Sequence, residues 1–476
     1  MHIRLLPVAL TGLLTLGTSA LAQPLRVPVA AASATALDRY VATPDPAYKW
    51  SVIATRQEGT LTVTTLEMTS QTWRTADEVD RTEWKHYLTV IRPDTVESDT
   101  SLLFIAGGSN DRAAIPKTDA MLAAIASGTR TIVSELRMIP NQPLTFFKDG
   151  VARKEDDLIA YGWDKFLDGG DEQWLARFPM TKAAVRAMDT VQAFAQSPEG
   201  GRRAITKFVV SGGSKRGWTT WTTAAVDKRV IAIAPAVIDL LNLEPSFVHH
   251  YRAYGAWSDA VKDYTEHGIM EWMGTSQFKA LMRIEEPYEY RDRLTMPKLI
   301  LNASGDQFFL PDSSQFYFDD LKGEKYLRYV PNTSHAIDKS DALETLHAFY
   351  ASVVTGAARP QVKWSYEKDG SIKVTSKELP SDVQLWQATN PSARNFRLDA
   401  IGPAYKNTRL EPSGPNTWVG RVPVPAAGWT AFFIEMTFPG SGKYPLKLTT
   451  GIRVLPDTLP YAAPVGRPKT AQGASY

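Results

Sequence analysis

A serine hydroxyl is a weak nucleophile until a base stands ready for its proton and a carboxylate orients that base. One serine of this 476-residue chain has the local setting for such activation. The apolar, β-branched run Ile205-Thr-Lys-Phe-Val-Val leads into Ser211-Gly212-Gly213-Ser214-Lys215-Arg216-Gly217-Trp218, small residues clustered around Ser214. A short continuous apolar run bounded by glycine predicts a buried strand of a parallel sheet. Where a strand turns sharply into a helix, the residue at the corner is held in a strained conformation, and its neighbours must be small or the two elements collide. Gly212 meets that need before Ser214. After it, Arg216 occupies the place usually taken by glycine and Gly217 follows one position later, a Gly-x-Ser-x-x-Gly arrangement.

Histidine is scarce, seven in all, so candidate bases can be taken in turn. His2 falls in a leader-like segment, His86 in mid-strand and His347 in a helix-like run. His249, His250 and His267 fall in a helical insertion. His335 alone follows a buried strand downstream of Ser214, in Pro331-Asn-Thr-Ser-His335. For the acid, Asp306 follows its own strand in Ser304-Gly-Asp306-Gln-Phe-Phe, giving the chain order Ser, Asp, His. Asp239 is the alternative acid, and Asp312 reads as a loop or capping residue. A tetrahedral intermediate also needs donors for its oxyanion, each worth roughly 3–4 kcal/mol. The expected sources are the amide of Lys215 and the loop at Gly108 and Ser109, which follows the strand Ser101-Leu-Leu-Phe-Ile-Ala.

The elements needed to position these residues are legible along the chain. Alternating runs beginning at Trp50, Gly59 and Trp84 predict antiparallel strands, and continuous apolar runs beginning at Ser101, Thr131, Ile205, Val230, Pro297 and Lys325 predict buried ones. Helices are expected over 118–127, from Pro179 to Phe194 and after Ser214, while residues 148–177 read as loop. The pattern predicts an α/β-hydrolase fold: a doubly wound, mostly parallel sheet over residues 37–358 with a helical cap insertion at about 240–293. Cap aromatics such as Trp257 are candidates for substrate binding. Short alternating runs separated by Gly, Pro and Asn turns predict a C-terminal all-β sandwich over 361–459, followed by a mobile tail, 460–476.

Composition narrows the function. The chain is 43% hydrophobic and 22% charged, with net charge +2, so no nucleic-acid partner is expected. With no cysteine, disulfides, thiol nucleophiles and thiolate metal sites are excluded. Arg4, an apolar run over 5–16 and Ala20-Leu21-Ala22 have the parts of a cleaved signal peptide (1–22), joined to the fold by a linker (23–36). A secreted or periplasmic protein without a membrane anchor is the expectation. His249-His250 lacks the spacing of a metal site, and Gly212-Gly213-Ser214 lacks that of a dinucleotide loop, so no metal or cofactor is expected.

Several segments together carry a resemblance: Gly212-Gly-Ser-Lys-Arg-Gly-Trp218, Ile139-Pro-Asn-Gln-Pro143, Glu155-Asp156 with Pro179-Met-Thr-Lys-Ala-Ala184, and Gly305-Asp-Gln-Phe-Phe with Pro331-Asn-Thr-Ser-His335. Over most of residues 37–455 the chain resembles the PhoPQ-activated pathogenicity-related protein family, some of whose members are similar to autocrine proliferation repressors. The resemblance implies a secreted α/β-hydrolase-like protein related to serine peptidases of the prolyl oligopeptidase and dipeptidyl peptidase kind. Three functions follow as expectations: a serine hydrolase of small esters or amides, an aminopeptidase or dipeptidyl peptidase, or a binding protein whose sandwich engages a protein partner. A peptidase of the second kind needs an anion for the substrate ammonium; Glu155 is the candidate, against its reading as part of a solvated acidic loop.

Overall fold

Three alternating runs form an antiparallel meander, β1 (Lys49–Glu58), β2 (Leu61–Thr72) and β3 (Glu83–Pro93), in a computed structural model that describes residues 34–111, 114–337 and 339–465. The expected signal peptide and the linker up to residue 33 lie outside the described residues, as do positions 466–476 of the tail. β3 pairs antiparallel with β5 (Val133–Leu136). Beyond it the strands run parallel in the order β5, β4 (Thr100–Ile105), β6 (Lys207–Gly213), β7 (Val230–Ala236), β8 (Lys298–Ala303) and β9 (Lys325–Val330). The exchanged places of β4 and β5, with the antiparallel meander before them, make this the α/β-hydrolase order. Leu102, Leu103, Val209, Val210, Leu299 and Leu301 are buried because helices cover both faces, which is why these strands read as unbroken apolar runs.

The helices before the cap are α1 (Ala36–Ala42), α2 (Ala120–Thr129), α3 (Glu155–Gly169), α4 (Arg177–Gln196) and α5 (Lys215–Val226). One core joins α1, α4 and α5 to the sheet; the other joins α2 to the opposite face. α3 corrects the expectation of a loop over 148–177. Its apolar side, including Ile159, Trp163, Phe166 and Leu167, is buried, but Gly162 and a triplet of acids obscure the period. Gly162 is there for a close approach: a Cβ would lie 2.4 Å from the carbonyl oxygen of Trp174.

The cap between β7 and β8 contains α6 (Leu243–Tyr254), α7 (Lys262–Glu266) and α8 (Ser276–Glu285), and α3 packs against the last two. Among the described residues no helix is long and apolar enough to cross a membrane. After α9 (Ala342–Thr355), which covers the sheet beside α2, β10 (Val362–Tyr366) and β11 (Ile372–Ser376) begin a second layer. Then follow β12 (Asp382–Asn390), the short α10 (Leu398–Ile401), β13 (Lys406–Arg409), β14 (Thr417–Gly420), β15 (Trp429–Phe438), β16 (Leu446–Thr449) and β17 (Arg453–Leu455). The three-stranded sheet β10-β11-β14 packs Ile372, Val374 and Trp418 into one core with Leu385, Phe432 and Ile434 of the facing strands.

That facing layer is an extension of the hydrolase sheet, because β16 pairs with β9 through Thr449 and Leu327. Arg328, 1% exposed, fastens the joint by pairing with Glu435 of β15 and with Asp341, 2.8 Å away. The hydrolase strands and the C-terminal strands β16, β15, β12 and β13 therefore share one continuous sheet. The start of the expected tail is docked: the Tyr461 amide donates to the Arg252 carbonyl (3.1 Å), and its ring covers Gly255.

Candidate active site

The parallel strands bring their C-terminal ends to one edge, where open sheets of this class place their sites. β6 ends at Gly213 and the chain enters α5 at once, leaving Ser214 at the corner with φ +58° and ψ −127°, a sparsely populated conformation. Glycines close the corner on both sides. A Cβ on Gly212 would lie 2.9 Å from the carbonyl oxygens of Ile105 and Arg216, and one on Gly217 would lie 2.8 Å from that of Ala236. Gly217 thus fills the role of the second small residue, and Arg216 turns its side chain away, over Gly107.

Asp306 and His335 come from the loops after β8 and β9. His335 Nδ1 lies 2.8 Å from Asp306 Oδ2 and 3.0 Å from Oδ1. The two loops are laced together: the Gly305 amide donates to the Thr333 carbonyl (3.0 Å), that of Asn332 to Ser304 Oγ (3.0 Å), and that of His335 to Gln307 Oε1 (2.9 Å). C-terminal residues hold them from outside. Asn332, at φ +57°, exchanges two 2.9 Å hydrogen bonds with the Tyr405 backbone, and the Leu398 amide donates to the Gly305 carbonyl (3.0 Å).

Asp239, the alternative acid, is buried between tyrosines, accepting from Tyr317 and Tyr329 hydroxyls at 2.6 Å each. Burial pushes its carboxyl up to about 7. Asp312 binds His249 (3.1 Å) and Arg394 (2.6 Å); burial opposes its charge, but the Arg394 guanidinium and the His249 imidazole hold it well below the usual carboxylate range. The neighbouring His250 accepts the Ser258 amide (3.1 Å), and burial pushes its pKa down to about 3.

Ser214, Lys215 and Trp218 open onto a narrow cleft of about 30 Å³, walled by Phe308 and Phe309 from the acid loop and by Leu243 and Phe247 from α6. His335 packs against the same two phenyl rings, at centroid distances of 4.3 Å and 5.9 Å. The nucleophile candidate and the imidazole therefore flank one pair of aromatics. Among the described residues no hydrogen bond joins the Ser214 hydroxyl to His335; such bonds are often long in substrate-free sites and tighten in the complex. A larger groove of about 720 Å³ lies on the other side of α6, lined by Glu244, Val248 and His249, and does not include Ser214.

In the loop expected to hold the oxyanion, Gly108 adopts φ +142°, and its carbonyl accepts from Gln142 Nε2 (3.2 Å). The Asn110 amide donates to the Gln142 carbonyl (2.6 Å), and Ser109 Oγ accepts the Asp111 amide (3.3 Å). The Lys215 amide is the first of α5, without an acceptor inside its own helix.

The two substrate-binding candidates have other surroundings. Trp257 packs against Tyr251, Phe247 and His250, behind the cleft wall. Glu155 is the first residue of α3, where Arg216 and Lys215 grip its carboxylate. Burial opposes that charge, but the two cations outweigh it and hold Glu155 far below the usual carboxylate range. Asp156, the next residue, lines the cleft instead, 3.1 Å from Lys215 Nζ and 3.0 Å from the Tyr264 hydroxyl. Sequence reasoning missed Asp156, Phe308 and Phe309 as cleft residues. The acidic triplet and the Asp-Gln-Phe-Phe run carried the signal, but which side chain turns inward is set by the packing of α3 and the acid loop. Among the described residues no group of three or more His, Asp or Glu is arranged to hold a metal ion.

A family model described as PhoPQ-activated pathogenicity-related protein matches residues 37–397. Autocrine proliferation repressor protein A of Dictyostelium discoideum is 38% identical over 464 aligned positions, which cover 91% of this chain and 93% of that protein. Among solved structures, similarity extends to acetyl xylan esterase 1 from Thermoanaerobacterium sp. JW/SL YS485 (13% identity, 67% of this chain and 92% of that one, TM-score 0.47). It also extends to an acylaminoacyl peptidase of Pyrococcus horikoshii (12% identity, 67% and 51%, TM-score 0.39). The family match and the extent of the Dictyostelium similarity establish that this chain belongs to the PhoPQ-activated pathogenicity-related protein family.

Proposed function

We propose that the protein is an exported serine hydrolase that cleaves ester or amide bonds through an acyl-enzyme. The observation that carries this reading is the Asp306–His335 pair facing the same two phenyl rings as a strained Ser214 at a helix N-terminus. His335 Nε2 takes the Ser214 proton as the oxygen attacks the substrate carbonyl, and Asp306 stabilises the imidazolium through Nδ1–H. The Lys215 amide and the loop at Gly108 and Ser109 receive the oxyanion. The imidazolium then protonates the leaving alkoxide or amine, and water, deprotonated by the same imidazole, releases the acid. Export rests on the leader-like residues 1–22.

Ester substrates are favoured over peptides with a free N-terminus. An aminopeptidase needs an unoccupied carboxylate for the substrate ammonium, whereas Glu155 is held by Arg216 and Lys215, and Asp156 by Lys215. A fluorophosphonate probe is expected to label the mature protein, with labelling abolished in Ser214→Ala and His335→Ala. Labelling that persists in both variants refutes the assignment. Turnover of p-nitrophenyl acetate without turnover of dipeptide p-nitroanilides supports the ester preference; the opposite pattern refutes it.

A further inference from the structure

Arg216 stands where small residues are the rule, and its side chain leads to a partly exposed ion-pair junction that the triad does not use. Glu155 Oε1 accepts from Arg216 Nη2 (2.7 Å) and Gln142 Nε2 (2.5 Å), and Oε2 from Arg216 Nη1 (2.8 Å) and Lys215 Nζ (2.8 Å). An ionised carboxylate has about four acceptor sites, and all are taken by this protein's own groups. The Glu155 amide closes the junction by donating to Gln142 Oε1 (2.7 Å). Arg216 Nε reaches the Ile139 carbonyl, and a Cβ on Gly107 would lie 2.7 Å from Arg216 Nη2, so this glycine makes room for the guanidinium.

The junction ties together the two sources of oxyanion donors. Lys215, whose amide is one of them, is held by its own side chain and by that of its neighbour Arg216. The Gly108 loop is the other, and Gln142 holds its carbonyl while its own amide group is locked to Glu155. We propose that Glu155, with Arg216 and Gln142, is a positioning device that fixes the spacing of the oxyanion donors, and that it contacts no substrate. This inference rests on the serine-hydrolase reading above and adds to it. Preorganised donors stabilise developing charge only if they are held in place before reaction, and a misplacement of about 1 Å can cost about 100-fold.

The test uses the mature full-length protein, p-nitrophenyl acetate and a fluorophosphonate. Glu155→Gln keeps the shape of the side chain but removes the charge that holds both cations. A 10- to 100-fold fall in kcat is expected, with KM within twofold of wild type. The rate constant for fluorophosphonate labelling of Ser214 should fall in parallel, because the phosphonyl oxygen enters the same hole. Gln142→Met, which cuts the links to the Gly108 carbonyl and to Glu155 but leaves the Glu155 ion pairs with Arg216 and Lys215, should act in the same direction; it decides the matter if Glu155→Gln does not fold. Unchanged kcat in a folded variant overturns the proposal. So does a rise in KM with kcat kept, which puts Glu155 in contact with substrate. A wild-type protein that neither labels nor turns over ester removes the serine-hydrolase reading itself, and this inference with it.

Discussion

Two carboxylates compete in the sequence for the role of triad acid, and the structure gives them different partners. Asp306 accepts from His335 Nδ1 and from the Phe308 amide (2.8 Å). In Asp306→Asn the side-chain amide group can face Nδ1, the proton moves to Nε2, and the imidazole can no longer accept from Ser214. In serine proteases the equivalent change lowers kcat by about 10⁴-fold with geometry intact, and a loss of that order is expected here. Asp239→Asn should leave kcat within about threefold of wild type and alter stability instead. The Asp239 carboxyl, held up at about 7 by burial from an ordinary 3.8, binds its proton more tightly in the folded protein. Its contribution is therefore complete below pH 3.8 and is lost as pH rises through 7. At roughly 1.4 kcal/mol per pH unit, the gap is on the order of 4 kcal/mol. Asparagine does not titrate, so the stability deficit of Asp239→Asn should be larger at pH 5 than at pH 8, where it shrinks or reverses. Ester hydrolysis at pH 7.5 and thermal unfolding of both variants at the two pH values read this directly. The reasoning is refuted if Asp239→Asn loses as much activity as Asp306→Asn, or if Asp306→Asn stays within tenfold of wild type.

Two further outcomes follow from the geometry around the proposed triad. Gly217→Ala places a methyl 2.8 Å from the Ala236 carbonyl and 2.9 Å from Ile238, and should destabilise the fold by about 1–3 kcal/mol, seen as a lower Tm. A Tm within 1 °C of wild type contradicts that crowding. Asn332→Gly preserves the left-handed backbone but removes both hydrogen bonds to Tyr405, and should cut kcat while Tm changes little; unchanged kcat means that the C-terminal strands do not position the His335 loop.

The sequence carried a good part of this because its signals are local. Gly212-x-Ser214-x-x-Gly217 marks a corner that only small neighbours allow, and the apolar runs at Val209, Leu299 and Leu327 mark strands buried on both faces. The order of Ser214, Asp306 and His335 is likewise written along the chain. Helix α3 escaped notice because Gly162, required by the Trp174 carbonyl, interrupts its apolar period. Three matters were decided only in three dimensions. Pairing of Leu327 with Thr449 joins the C-terminal strands to the hydrolase sheet, and a strand pattern does not encode its partner. Asp239 and Asp306 both follow strands, but the imidazole reached one and two tyrosines the other. Glu155 read as a solvated acid or an ammonium site; distant Arg216, Lys215 and Gln142 converge on it and leave its carboxylate no open acceptor. Sequence fixes the chemistry each side chain can perform, whereas the partner that uses it comes from elements far apart in the chain, and only folding brings them together.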